Sequence, residues 1–343
     1  GQVERIDGKK QKATKIDSFS TSSSSATVES QTELRNFRIR PYPCSSISVA
    51  DFQFLTKIGR GAFGEVWFGR SLRDNKPCAI KAIDKRNTNY PPGFAIEQIR
   101  REVDNLRFIQ NQSPFILSLI AAFSNDDYIF IVTEYLGAGD VFDKLAVIGY
   151  LDEYDAKLLV AEMACALDDL RKCGVLTDFG LSKFIGRRRT SSGTGTMVIR
   201  APEMIRGAEY DYSADWYSLG VFAYEIIFGR TPFMNHLNSL PKDVFYDKVI
   251  NEELTFKGRH DLSENCLSFI KQLMNKDPKA RLVGLAVIMK HPWLSELELY
   301  KVRNRSYKTL WSNVNRNLKG ALKLSDFSSN YINAASLKFF VND

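Results

Sequence analysis

From Asp51 onward, apolar and polar positions alternate in three short runs, "FQFLTKIG", "GEVWFGRS" and "KPCAIKAID", each rich in β-branched or aromatic residues and bounded by glycine or turn residues. A period of two predicts strands, and the closeness of the runs predicts antiparallel pairing. The period then lengthens in "AIEQIRREVDNLRFI", where apolar residues recur every three or four positions and predict one amphipathic helix. Two further strand patterns follow, "LSLIAAF" and "YIFIVTEYL", and after Gly137-Ala138-Gly139 helical patterning dominates as far as Leu294. The class expected is therefore α+β: a small antiparallel β lobe with one main helix over about residues 51–134, then a larger, mostly α-helical lobe over about 135–294.

The flanks read differently. Residues 1–50 include "SFSTSSSSATVES", too polar to bury enough apolar area against the entropy of ordering, and are expected to be a disordered serine-rich arm. Residues 295–343 carry scattered apolar positions and no proline, the pattern of a tail laid over another surface.

Composition adds limits. With 343 residues, 44% of them apolar, the chain can bury a real core, and no apolar run approaches the roughly 18 residues of a membrane span. The formal charge of +7 gathers partly in Lys9 to Lys15 and in Arg187-Arg188-Arg189. Without interleaved aromatics these runs read as solvated surface, and no nucleic-acid partner is expected. The five cysteines lack Cys-x-x-Cys spacing and there are three histidines, so a zinc site is not indicated; reduced thiols suit the cytoplasm or nucleus.

The chemistry-bearing residues begin with "KIGRGAFGEVWFG", which sets Gly59, Gly61 and Gly64 between two strand patterns, where backbone N–H groups can approach phosphate oxygens. Lys81, in the apolar run "CAIKAI", either snorkels or is held by a carboxylate and an anion; Glu102 on the following helix can supply the carboxylate. Further on come "VLTDFG", with Asp178 at a strand end, and Ala201-Pro202-Glu203. In this order the five elements resemble the eukaryotic protein kinase pattern over about Asp51 to Leu294, and within it the AGC group of serine/threonine kinases.

That resemblance implies a two-lobed protein-kinase fold that uses ATP and Mg2+ to phosphorylate protein substrates, with an upstream activating kinase as a partner. It makes Ile58, Gly59, Arg60, Gly61, Ala62, Phe63 and Gly64 the cover over the phosphates, and Val66 and Ala79 the cap on adenine. Lys81 would grip the α- and β-phosphates and Glu102 would orient it. Thr133 falls at the gatekeeper position before a hinge of Glu134, Tyr135 and Leu136, Asp140 at the ribose contact and Asp178 at the metal ligand. Leu106, Leu119 and Phe179 match an apolar spine anchored below by Asp215, and Glu203 with Arg281 matches a buried ion pair. Ser192 aligns with an activating phosphosite, with Thr190 and Ser191 as rivals; phosphate there would add about −1.5 to −2 charges. Glu225 and Asp140 suggest substrates with basic residues upstream of Ser or Thr, although Glu225 could equally satisfy a neighbouring helix.

One element of the pattern is missing. The helix ending in "ALDDLRKCG" should lead into a His-Arg-Asp-x-x-x-x-Asn loop that supplies the catalytic base and a second metal ligand, but Val175 opens the next strand at once. About twenty residues are absent between Gly174 and Val175. The one Arg-Asp pair, Arg73-Asp74, reads as a surface turn. Loss of the base and a metal ligand should each cost orders of magnitude in rate, and the short join predicts strain. A contiguous deletion with intact flanks points to a skipped exon, a gene-model error or omitted residues; the alternative is a catalytically dead interaction module.

Overall fold

A computed structural model describes residues 33–60, 64–86, 92–137, 141–176, 183–184, 197–233 and 240–308. Among these, the first lobe is a five-stranded antiparallel sheet of β1 (Phe52–Arg60), β2 (Glu65–Ser71), β3 (Pro77–Asp84), β4 (Leu119–Ser124) and β5 (Tyr128–Glu134), in the order β1-β2-β3-β5-β4. The helix expected after the third strand is α1 (Pro92–Ile109). Alternation sorts the side chains onto two faces. Ile83, Leu119, Ala122, Ile129 and Ile131 share a core with Ala95, Ile99, Val103 and Leu106 of α1. Phe52, Cys78, Ile80, Phe123, Phe130 and Val132 form a second core on the other face, where the Phe52 and Phe123 rings stack at 5.7 Å.

The second lobe contains α2 (Val141–Ile148), α3 (Glu153–Lys172), α4 (Pro202–Ile205), α5 (Ser213–Phe228), α6 (Lys242–Asn251), α7 (Glu264–Leu273) and α8 (Leu285–Ile288). Helix α5, "SADWYSLGVFAYEIIF", is buried at all its positions and forms the axis of the lobe, with α3 and α7 packed against it. Its neighbours are started by side-chain caps: Asp152 accepts from the Asp155 N–H (2.8 Å) and Ser263 from the Cys266 N–H (3.1 Å).

Three stretches depart from the sequence-based expectation or refine it. Residues 33–50, expected to belong to the disordered arm, are ordered against the β lobe: Leu34 and Ile39 join the core beneath α1, and Ile47 joins the core on the opposite face. Between them Tyr42 exchanges backbone hydrogen bonds with Ala122 (2.9 and 3.1 Å), which covers part of the free edge of β4. Composition hides this, because three separated apolar residues in a polar stretch show no period.

The second stretch is the join after α3, where strain was expected. The Cys173 N–H returns to the Asp169 carbonyl (3.1 Å), the Gly174 N–H to that of Arg171 (3.0 Å), and Gly174 has φ 76°. A left-handed glycine turn thus ends the helix without steric penalty. Strand β6 (Val175–Leu176) starts at the next residue and pairs with β7 (Lys183–Phe184), while Val175 is buried with Ile109, Ile116 and Leu170. The third stretch follows Leu294: α9 (Leu299–Arg303) buries Val302 and sends Arg303 to the Asp169 carboxylate in two bonds (2.9 and 3.0 Å).

Candidate active site

The site is built outward from β3. Lys81 shares the parity of Ala79 and Ile83, so it lies on the sheet face that carries α1, with Val66 and Ile131 as its partners in register. Glu102 comes from α1 on that side, and the Lys81 Nζ donates to both its oxygens (3.0 and 2.9 Å). The side chains are 7% and 5% exposed, so Lys81 is buried against a carboxylate and does not snorkel to solvent. A buried ion pair is weak support for stability, since desolvation offsets most of its attraction, yet removing one partner strands a charge.

Along the same face, Ile58, Val66, Phe68 and Ala79 make a small separate apolar cluster with Leu55 and Tyr135 at its margin; the Phe68 and Tyr135 rings lie 4.5 Å apart. Gly59 and Arg60 end β1, paired with Val66 and Glu65. At Gly64 a Cβ would stand 2.2 Å from the Ala82 carbonyl oxygen, so only glycine lets β2 approach β3 this closely. Thr133, opposite Ala79, is buried, and its Oγ1 has no hydrogen-bond partner among the described residues. Glu134 is held by the Ser118 N–H (2.8 Å), whereas Leu136 is exposed. Leu106 and Leu119 belong to one core.

In the second lobe Arg281 donates to both oxygens of Glu203 (2.7 and 2.9 Å) and to the Ser213 carbonyl (2.8 Å), which ties α4 to the start of α5. Asp215 is buried in the first turn of α5. Glu225, three turns on, is also buried; no donor among the described residues reaches its carboxylate, and burial pushes its pKa up to about 7. Gly61, Ala62, Phe63, Asp140, Asp178, Phe179, Thr190, Ser191 and Ser192 lie outside the described residues. Arg73-Asp74 occupies the β2–β3 turn, where Arg73 pairs with Asp51 (2.7 Å).

Sequence reasoning passed over Asp168 and Asp169, both buried in the last turns of α3. Burial alone would raise the Asp168 carboxyl, but hydrogen bonds from Lys172 and Arg171 outweigh it and hold the group below the usual carboxylate range. The available signal was two adjacent acids within an apolar helical run, which demand cations from elsewhere in the chain.

The model of the family described as "Protein kinase domain" matches residues 52–176 and 171–294, two pieces that meet where the catalytic loop is missing. The chain is 30% identical over 322 residues to the serine/threonine-protein kinase sgk-1 of Caenorhabditis elegans, covering 87% of this chain and 67% of that protein. It is 29% identical to the serine/threonine-protein kinase AtPK2/AtPK19 of Arabidopsis thaliana, over 76% of this chain and 58% of the relative. Identity to the serine/threonine-protein kinase YPK1 of Saccharomyces cerevisiae is also 29%, over 78% and 41%. All three relatives are longer than the stretch they share with this chain.

Proposed function

Because this chain belongs to the protein kinase family and is AGC-like in type, we propose that it is the scaffold of a serine/threonine kinase, able to transfer phosphate only when a catalytic loop stands between Gly174 and Val175. The single observation carrying this reading is the buried, two-bonded Lys81–Glu102 pair on the sheet face beside the Val66–Ala79 cluster. An ammonium held by a carboxylate in a buried site is a charge-assisted donor set of the kind that suits the α- and β-phosphates of ATP. The unpaired Thr133 Oγ1 next to Ala79 fits a polar ligand edge in the same place. Mg2+, when bound, would neutralise charge on the transferring phosphoryl; Asp178 would be its protein ligand here, and the asparagine that normally joins it is not in the chain. Nor is there an aspartate to take the proton from an acceptor hydroxyl. This chain therefore carries the Lys81–Glu102 pair without the base. Glu225, buried and without a described partner, supports recognition of a guanidinium in the substrate, consistent with arginines upstream of the accepting Ser or Thr.

A second reading has its own support. The glycine turn at 174 and the burial of Val175 close the shortened chain cleanly, which favours a folded module that acts by binding. Phosphorylation of an arginine-containing serine peptide separates the two. We expect no transfer from this chain and transfer from a version carrying an inserted His-Arg-Asp-x-x-x-x-Asn loop. Failure of both, with the inserted version folded, overturns the kinase reading in favour of the module.

A further inference from the structure

Residues 33–47 lie outside the span matched by the family model, yet they join α1 to the sheet by contacts at both ends. On the helix side, Leu34 and Ile39 are buried in the core that holds Ile99, Val103 and Leu106. The Arg100 guanidinium lies over the Phe37 ring (5.3 Å) and that of Arg107 over the Tyr42 ring (5.7 Å). Arg107 also donates to the Arg40 carbonyl, and Gln110 to the Tyr42 hydroxyl. Positions 100, 103 and 107 follow helical spacing and Gln110 stands one residue past the helix end, so the segment engages one stripe along the C-terminal half of α1.

On the sheet side, the Ile39 N–H donates to the Ser124 Oγ (3.2 Å), Arg38 pairs with Asp126 (2.7 Å) and Tyr42 bridges to Ala122. Ile47 then reaches the core on the far face. The segment thus runs from the helix, around the β4 edge, to the back of the sheet. Glu102 lies one residue before Val103, so whatever fixes the rotation and depth of α1 also fixes the carboxylate that meets Lys81.

We propose that residues 33–47 are a strap that sets the position of α1, which makes Leu34, Ile39 and Tyr42 positioning residues for the Lys81–Glu102 pair. The strap concerns the ion pair and not phosphoryl transfer, so a negative transfer assay leaves it standing. Hydrogen exchange read by mass spectrometry on the full chain tests it. Leu34→Ala and Tyr42→Ala should each speed exchange of the α1 amides (92–109) about tenfold or more while those of α5 (213–228) stay within about twofold of the parent, and Leu34→Met should keep parental protection in α1. Deletion of residues 1–47 should give a larger change in the same place; if that variant does not fold, the point substitutions decide. The proposal is overturned if α1 exchange in both alanine variants stays within about twofold of the parent, or if α5 accelerates equally, since the segment would then support the whole fold and not the helix.

Discussion

Glu225→Gln tests the electrostatics of the large lobe most directly. The side chain is on α5, a helix buried at every position, and burial without a described partner raises its pKa from 4.5 to about 7. The unfolded chain ionises near 4.5 while the folded chain keeps its proton until about 7, so the folded state binds more protons in between. Stability contributed by this group is fully present below about pH 4.5, falls as pH rises through the window and is lost above about 7. The gap between about 4.5 and about 7, at about 1.36 kcal/mol per pH unit, gives a loss of about 3 kcal/mol. Glutamine is nearly isosteric and does not ionise, so it escapes the loss. Thermal melts of both proteins at matched pH cancel every other titrating group. We expect near-identical midpoints at pH 4.5 and a variant more stable at pH 8 by up to about 3 kcal/mol, roughly 6–12 °C for a lobe of this size. A variant less stable than the parent at pH 8 would refute the argument, because it would mean the ionised carboxylate is paired. The same reasoning predicts that an arginine-containing peptide, which supplies the missing cation, binds the parent more tightly at pH 8 than at pH 5 and that the glutamine variant loses this dependence.

Arg281→Ala should lower the unfolding free energy by about 3–5 kcal/mol in urea titrations, because it strands the Glu203 carboxylate in a site where the pair is 0% and 7% exposed; Arg281→Met with Glu203→Leu should recover much of the loss. Gly174→Val should cost about 1–2 kcal/mol by the same measurement, since φ 76° is a left-handed position, and Gly174→Asn should cost less.

The strands, α1 and the α lobe were legible because their periods are regular, the Lys81–Glu102 pair because a lysine in an apolar run needs a partner, and the Glu203–Arg281 pair because the family resemblance implied it. What escaped was non-periodic. Leu34 and Ile39 are buried in the core under α1 and Ile47 in the core on the opposite face, at spacings no local window registers. Asp169 had no visible partner because Arg303 lies far along the chain, in a region whose pattern suggested only a covering tail. The join at Gly174 suggested strain when judged by linker length alone; the deciding quantity was a backbone angle that glycine adopts freely.

The grip of Arg303 on Asp169, together with the seat of Leu170 beside Ile109, Ile116 and Val175, holds the end of α3 from two directions. Its Arg303 anchor is remote in sequence from the Gly174–Val175 join, so a version with a loop inserted there should keep that tether.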